Sequence, residues 1–379
     1  MPAFAYRHIK TLYPIFWTKT QELTNAFTKE TEKAPAANPK ADESSAIIDA
    51  ADWAKRVTLD VVGLAAFGSD FNSIKDPKSE FNTQYHKVFA PNFRAIILTF
   101  LNVFLPPSIA QILPIKKLGG FESAKRYITE NFRSIIRKRR EKLDQGSEAD
   151  LDVLSVAMRS GAFSEDDLIN QMMTFLAAGH ETTASTLTWA VYLLCTYPDV
   201  QQELRREIRA NLPSVDTDEP FAAATIDRLP YLQAFCNECL RFYSPIPLTP
   251  REAIRDTTLL GQPIPKGTSV IIGMWAINRS EELWGPDASE FKPERWLNSE
   301  KSMTGSAQSH YAFLTFLHGS RSCIGQNFAR AEVATLIAGL VGKFKMEMAD
   351  PKEKVKLRIN IIARPARALR VRMRVMDGW

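Results

Sequence analysis

The chain has 379 residues, of which 45% are hydrophobic and 24% charged, and its formal net charge is +5. This is the composition of a globular protein with ample length for a large core. So mild a charge argues against a nucleic-acid partner, and the basic cluster at 137–142 is typical of a solvated helix end. Four scattered cysteines exclude a disulfide framework and indicate an intracellular protein with reduced thiols.

The sequence predicts no transmembrane helix, because it has no uninterrupted apolar stretch of about 18 residues. The nearest candidate, at 95–105, is shorter and is closed by Pro106 and Pro107. It predicts a core helix or, alternatively, a segment that dips into lipid. The first residues do not resemble a signal peptide.

Apolar residues at helical spacing predict the first helices, and a polar stretch predicts a surface loop at 29–45. The predicted helices are 13–27, 47–67 and 123–142. A longer helix is predicted from Ser164 to about Tyr197, since Ser164 and Asp167 form a pattern like a capping box. Its roughly thirty residues would span about 50 Å.

The later part of the chain changes in character. Two more helices are predicted at 200–211 and 232–243, before prolines and β-like segments become frequent. The predicted strands are 269–272, 357–362 and 368–375. The expected fold is mainly α with a minor β region, in one domain over residues 1–379. Its helical bulk covers about 1–243 and its β-richer part about 244–379.

The most informative stretch is the loop from Phe316 to Gly325. It places Cys323 between two glycines, behind Arg321, and just ahead of a helix-like run. Backbone N–H groups at a helix N-terminus favour an ionised thiolate. The glycines allow a flat ligand to approach the backbone, and an arginine is a natural partner for a carboxylate on that ligand.

The spacing F-x-x-G-x-R-x-C-x-G resembles the haem-binding loop of the cytochrome P450 family. The resemblance implies that Cys323 is the axial ligand of a haem b (iron protoporphyrin IX). It also assigns Phe316, Arg321 and Gly325 to cofactor binding, and His318 to a hydrogen bond with a haem propionate. The alternative is a buried free cysteine in a glycine-rich turn.

A second motif lies in the middle of the long helix, where Ala177, Ala178 and Gly179 precede Glu181 and Thr182. Small residues there suggest the close approach of a large group, and an acid beside a hydroxyl can deliver protons. Taken alone, the motif is better explained by helix–helix packing. It resembles the distal-helix motif of the same family, which implies that Glu181 and Thr182 activate oxygen and that the two alanines line the substrate pocket.

Glu238 and Arg241 stand three residues apart on one predicted helix face, a spacing that is common for solvated pairs. With Arg295 they resemble the structural triad of the family, whose role is folding and cofactor retention. A fully satisfied charged network of this kind fixes one packing arrangement.

The proline-rich segment at 244–251 resembles the family's lining of the pocket above the haem. The resemblance places Pro247, Leu248 and Ile361 at the substrate and pairs Arg251 with a propionate. A surface β-turn is the competing interpretation for Arg251.

Together these motifs imply a monooxygenase that inserts one atom of O₂ into a small lipophilic substrate, with electrons from an NADPH-dependent reductase. The resemblance is closest to fungal microsomal members, which implies secondary-metabolite biosynthesis, the endoplasmic reticulum and peripheral membrane contact. The alternatives are a haem-thiolate isomerase or dehydratase, and an inactive remnant that acts as a scaffold.

The chain begins at a point that resembles the segment just after the helix carrying the family's Trp-x-x-x-Arg haem contact. We therefore expect a P450 fold that lacks its N-terminal part. Since a charged hydrogen-bond partner commonly contributes about 1.5–3 kcal/mol, we also expect weak haem retention by the chain as written.

Overall fold

The computed structural model describes residues 4–37, 45–89, 121–145, 152–217, 219, 222–297, 304–305, 307 and 309–379. The helices within these ranges are α1 (Tyr6–Ala37), α2 (Ala50–Phe67), α3 (Glu80–Phe89), α4 (Phe121–Asp144), α5 (Val153–Arg159), α6 (Glu165–Thr196), α7 (Pro198–Asn211), α8 (Ala223–Asp227), α9 (Pro230–Phe242), α10 (Met274–Ile277), α11 (Glu281–Trp284) and α12 (Gln326–Lys343). None of them is long and apolar enough to cross a membrane. The candidate segment at 95–105 lies outside the described residues.

The strands are short and pair antiparallel. They are β1 (Ser45–Asp49), β2 (Thr249–Glu252), β3 (Thr257–Leu259), β4 (Gln262–Ile264), β5 (Ser269–Ile272), β6 (Phe344–Met348), β7 (Leu357–Ile359), β8 (Ala363–Pro365) and β9 (Arg370–Val375). Among them β9 lies between β1 and β6, with Met373 opposite both Ala46 and Met346. The other pairs are β2–β5, β3–β4 and β7–β8. The predicted strand at 357–362 is therefore the first arm of a hairpin.

Two compact units make up the chain. Unit 1 contains residues 1–3 and 56–180, and unit 2 contains residues 4–55 and 181–379. The division falls inside α2 and inside α6, both of which are continuous helices. The single domain expected over 1–379 stays a prediction.

Unit 1 is built around one apolar stripe on α4. Ala124, Ile128, Phe132 and Ile136 recur every four residues and are fully buried, as expected for a helix with one face on a core. Arg139 continues this stripe and pairs with buried Asp152 at 2.5 Å. The expectation of a solvated basic cluster is therefore wrong for Arg139, because helical spacing turns it inward.

Small residues bring α6 close to α2 within unit 1. A Cβ at Gly179 would lie 3.1 Å from Cγ2 of Val62. Next to it, buried His180 shares a 2.8 Å hydrogen bond between Nδ1 and the Tyr85 hydroxyl. Close helix packing thus accounts for the glycine of the distal-helix motif.

Unit 2 is organised around α12, which is buried along most of its length. It packs against α1, where a Cβ at Gly339 would clash with Cγ2 of Thr20. From α7, Arg205 donates 2.9 and 2.7 Å hydrogen bonds to the carbonyls of Val341 and Phe344. The first of these bonds satisfies a carbonyl of the last turn of α12, which has no partner within the helix, and the second holds the C-cap residue.

The start of the chain differs from the prediction in two places. The polar stretch expected to be a loop from residue 29 is helical as far as Ala37 in α1, and 38–44 lie outside the described residues. An ion pair of 2.8 Å between Lys33 and Glu30 stabilises this solvent-facing end. The helix expected from residue 47 begins at Ala50, because 45–49 form the edge strand β1.

The long helix has the predicted bounds and start. The Ser164 backbone N–H and hydroxyl donate 3.1 and 2.6 Å hydrogen bonds to the Asp167 carboxylate, and the Asp167 N–H donates one of 3.2 Å to the Ser164 hydroxyl. This reciprocal pairing satisfies donors that a helix N-terminus leaves open. The capping pattern predicted from the sequence is confirmed.

Glu238, Arg241 and Arg295 form one buried network in unit 2. The Glu238 carboxylate accepts hydrogen bonds of 2.7 and 2.8 Å from Arg241, 3.0 Å from Arg295 and 2.9 Å from the Trp296 indole. The Lys292 N–H adds another of 2.9 Å. All three charged groups are thus paired and hydrogen-bonded, the condition under which burying them is tolerable.

Replacing Glu238 with glutamine should lower the free energy of unfolding by about 3–5 kcal/mol, because buried Arg241 loses its counter-charge and Arg295 loses one ion pair while keeping that with Asp287. The measurement is urea unfolding of the full chain. Glu203→Gln is the matched control, because Glu203 pairs with Arg206 at three residues' distance on an exposed face, and such pairs contribute about 0–1 kcal/mol. Equal losses in the two variants would contradict a buried network.

Candidate active site

The cysteine loop is folded back on itself. The Cys323 N–H donates a 2.8 Å hydrogen bond to the Phe316 carbonyl, and the Ser322 N–H donates one of 3.1 Å to that of Gly319. Two residues take left-handed backbone conformations, Leu317 at φ +60° and Gly319 at φ +74°. Such a conformation costs a leucine about 1 kcal/mol or more, so the surrounding contacts hold the loop in a strained shape.

The loop forms one wall of a cavity of about 200 Å³ within unit 2. Four of the predicted site residues line it together, namely Thr182, Phe316, Arg321 and Cys323. Other lining residues were not predicted from the sequence, including Thr183, Thr186, Met274, Thr315 and Val333. The four-residue spacing of Thr182 and Thr186, and of Ala329 and Val333, was the available signal for two shared helix faces.

A second cavity of about 320 Å³ lies on the other side of α6, also within unit 2. Glu181, Ala184, Ser185 and Thr188 line it, whereas Thr182, Thr183 and Thr186 line the first cavity. At about 100° per residue, neighbouring positions of one helix point in different directions. The predicted acid and hydroxyl, adjacent in sequence, therefore open to different cavities.

The second cavity is rich in charged groups. Its lining includes Asp49, Asp52, Lys55, Arg358 and Arg367. Within it, the Glu181 carboxylate forms an ion pair of 3.2 Å with the Arg364 guanidinium. Glu181 is therefore held by a cation of the β7–β8 hairpin.

The Cys323 thiol is in a less favourable setting for ionisation than the sequence suggested. Although the residue is exposed at the open side of the cavity, desolvation raises the pKa of the thiol, and the backbone N–H of Gly325 lowers it by less. The predicted stabilisation of a thiolate by a backbone N–H at the helix N-terminus is present, but desolvation outweighs it in the haem-free chain. A coordinated metal ion would reverse the balance, since it deprotonates a thiol outright.

Two predicted propionate partners do not line the first cavity. The exposed Arg251 donates hydrogen bonds of 2.9 and 2.8 Å to the Thr249 hydroxyl and the Pro250 carbonyl. His318 Nε2 lies 2.9 Å from the His310 carbonyl oxygen, and its ring packs against Tyr311. These contacts are local, and Arg321 is the predicted cation that does line the cavity.

The remaining predicted residues lie around the site. Pro247 is buried, and its carbonyl accepts a 3.1 Å hydrogen bond from the backbone N–H of Trp275. Leu248 and Ile361 are 49% and 67% exposed. Neighbouring Pro245, Ile246 and Thr249 line the cavity in their place. Ala177 and Ala178 precede Glu181 on α6 and belong to unit 1, and Gly325 is the N-cap of α12.

The chemistry of the cavity fits a haem. It combines a soft sulfur ligand, a guanidinium for a carboxylate and mostly apolar walls. A Cβ placed on Gly319 or Gly325 would meet nothing within 4 Å, so the loop leaves open space beside the cysteine. The loop residues 318–324, two of which line the cavity, are exposed.

Known proteins resemble this chain along its whole length. The family model described as Cytochrome P450 matches residues 1–371. This chain belongs to the cytochrome P450 family. Cytochrome P450 monooxygenase sphH of Aspergillus fumigatus is 46% identical over 100% of this chain and 69% of its own length. Cytochrome P450 monooxygenase buaD of Petromyces alliaceus is 37% identical over 100% of this chain and 71% of its own.

A solved structure of similar fold is the cytochrome P450 CYP102L1, with a TM-score of 0.81 and 26% identity. The match covers 99% of this chain and 80% of that protein. The predicted fold class and the predicted activity, that of a P450 monooxygenase, are therefore confirmed. Membership of the family implies a haem-thiolate cofactor, a substrate and a redox partner.

If Cys323 is the axial ligand, the reduced, haem-loaded chain should form a carbon monoxide complex with the Soret band of thiolate ligation. Cys323→Ala should abolish that band, because no other thiol lines the cavity among the described residues. Cys195→Ala is the control and should keep it. A thiolate-type band that persists in Cys323→Ala would refute the assignment.

The pH dependence of alkylation tests the setting of the same thiol in the haem-free chain. A raised pKa means a smaller thiolate fraction at any given pH, so the iodoacetamide reaction should keep accelerating above the ordinary cysteine pKa of about 8.5. The alkylation rate of wild type minus that of Cys323→Ser gives the contribution of Cys323. The thiol of Cys195 should react slowly in both, since burial raises its pKa to about 12. A rate that levels off at a pH below the ordinary cysteine pKa would show that the helix N-terminus lowers the pKa of Cys323 by more than desolvation raises it.

Proposed function

We propose that this enzyme oxidises a small lipophilic substrate in fungal secondary metabolism, using haem b bound through Cys323 and electrons from an NADPH-dependent reductase. The observation that carries the proposal is the single cavity in which a thiol, a guanidinium and five threonines meet mostly apolar walls. When bound, the haem supplies the oxygen chemistry. The protein supplies ligation, orientation, exclusion of water and protons.

An arginine of α12 contacts the start of the cysteine loop. The Arg330 guanidinium lies 5.3 Å from the centre of the Phe316 ring and donates a 2.7 Å hydrogen bond to Asn237. A cation over an aromatic face stabilises the position of the ring. We assign Phe316 to packing beside the cysteine, and Arg321 to a carboxylate of the cofactor.

The helix α6 lies between the charged second cavity, which would supply solvent protons, and the apolar first cavity. Solvent protons would enter through the charged second cavity and reach Glu181, which Arg364 holds. A turn of the Glu181 side chain away from Arg364 would bring its proton toward the Thr182 hydroxyl in the first cavity. This assignment gives Glu181 and Thr182 the roles of proton carrier and proton donor.

We also assign the enzyme to the endoplasmic reticulum, with peripheral membrane contact through the β3–β4 hairpin. The resemblance to microsomal members supports the location. Leu260, at the hairpin turn, is 98% exposed, and Ile254 and Leu259 are exposed close to it in sequence. Exposed apolar side chains of this kind favour contact with lipid or with another protein. The substrate pocket would extend from the cavity toward Pro247, Leu248 and Ile361.

Thr182→Ala should leave haem binding intact and raise the hydrogen peroxide released per NADPH consumed several-fold, because proton delivery in the cavity is lost. Thr182→Ser keeps the hydroxyl and is the conservative control. Thr196→Ala, on the same helix outside both cavities, controls for helix stability. An unchanged peroxide yield in Thr182→Ala would leave Thr182 a structural role only.

A further inference from the structure

Helix α12 carries a buried carboxyl group that the proposed function does not use. Glu332 is 0% exposed, and in the part of the chain that the structure describes neither of its side-chain oxygens has a hydrogen-bond partner. An unsatisfied buried polar group costs about 1–3 kcal/mol, and more when charged. A side chain that is retained at such a cost calls for a function.

The position of Glu332 connects it to the first cavity. Val333, the next residue, lines that cavity, and so does Thr183 of α6. The Thr183 hydroxyl is close enough to lower the pKa of the Glu332 carboxyl, although it does not meet the geometry of a hydrogen bond. Burial raises that pKa by far more, well above its ordinary value. Burial therefore favours the neutral carboxylic acid over the carboxylate.

Glu181 cannot act on Thr183 in the same way. It opens to the second cavity and is paired with Arg364. Glu332 approaches the threonines of the first cavity from α12 instead. The two acids thus stand at different faces of α6, one solvent-connected and paired, the other buried and unpartnered.

We propose that Glu332 is a positioning residue of the haem cavity, which hydrogen-bonds the Thr183 hydroxyl from behind and sets the direction in which that hydroxyl points. This inference rests on the proposed function in one respect, that the cavity holds haem. A hydrogen bond between these two side chains would remove the cost of the unsatisfied carboxyl group.

The protonation state of Glu332 determines what Thr183 can do. A neutral carboxyl group donates its O–H to the threonine oxygen, so that the threonine O–H is left to donate into the cavity. A carboxylate only accepts, and would turn the threonine proton away from the cavity. Glu332 thus makes Thr183 a hydrogen-bond donor beside Thr182.

The pairing is tested first in the haem-free full chain by infrared spectroscopy. The difference spectrum of wild type minus Glu332→Gln should contain the carbonyl band of a protonated carboxylic acid. Thr183→Val should shift this band to higher frequency, because the carboxyl loses its partner. Thr188→Val is the matched control and should leave the band in place, since Thr188 is a buried threonine of the same helix that lines the second cavity.

The orientation of Thr183 is tested in the haem-loaded, dithionite-reduced chain with carbon monoxide as the probe. The C–O stretching frequency reports hydrogen-bond donors in the cavity. Thr183→Val and Glu332→Leu should shift it in the same direction, and Glu332→Gln should shift it less because an amide still donates. The double variant should shift it no further than Thr183→Val alone, as expected for two residues that act through one contact.

Three results would overturn the proposal. They are a missing carboxylic acid band, a band that Thr183→Val does not move, and additive shifts in the double variant. The proposed function fails separately, if the loaded chain lacks a thiolate-type carbon monoxide complex. The carbonyl band of the haem-free chain still decides whether Glu332 and Thr183 are paired.

Discussion

The buried carboxylate of Glu238 is the interaction on which the rest of the site depends. It neutralises Arg241, whose guanidinium also donates to the carbonyls of Asn278 and Ala288 at 2.7 and 2.8 Å. Asn278 in turn accepts from the Leu314 N–H and donates to the Thr315 hydroxyl. Thr315 is a wall residue of the first cavity. A charge pair inside α9 thus determines where the cysteine loop begins.

The helix α6 divides the chemistry between its two faces. One face presents hydroxyl groups to a mostly apolar cavity beside Cys323, and the other presents Glu181 to a charged cavity. The separation follows from helical geometry, since neighbouring residues point about 100° apart. It keeps the Glu181 carboxylate out of the cavity that contains the thiol, although Glu181 is only one residue from Thr182.

Several departures from the sequence prediction share one cause. The predictions for residues 29–45 and for the basic cluster at 137–142 equate polarity with exposure. In the structure α1 stays helical through its polar end, and Arg139 is buried against Asp152. A long polar side chain is compatible with a helix, and with burial, when a partner of opposite charge is supplied from elsewhere in the chain. For Arg139 that partner, Asp152, lies beyond the end of its helix and leaves no local pattern.

The sequence by itself determined the family, the cysteine loop, the long capped helix and the charged residues of the network around Glu238, because each depends on residue types at short, fixed spacing. Only the tertiary structure decided which cavity each side chain enters. It placed Glu181 against Arg364, turned His318 and Arg251 to local partners, and left Glu332 buried behind Thr183. These outcomes depend on where separate elements meet, and the physical reason is that burial and pairing are set by packing across the chain.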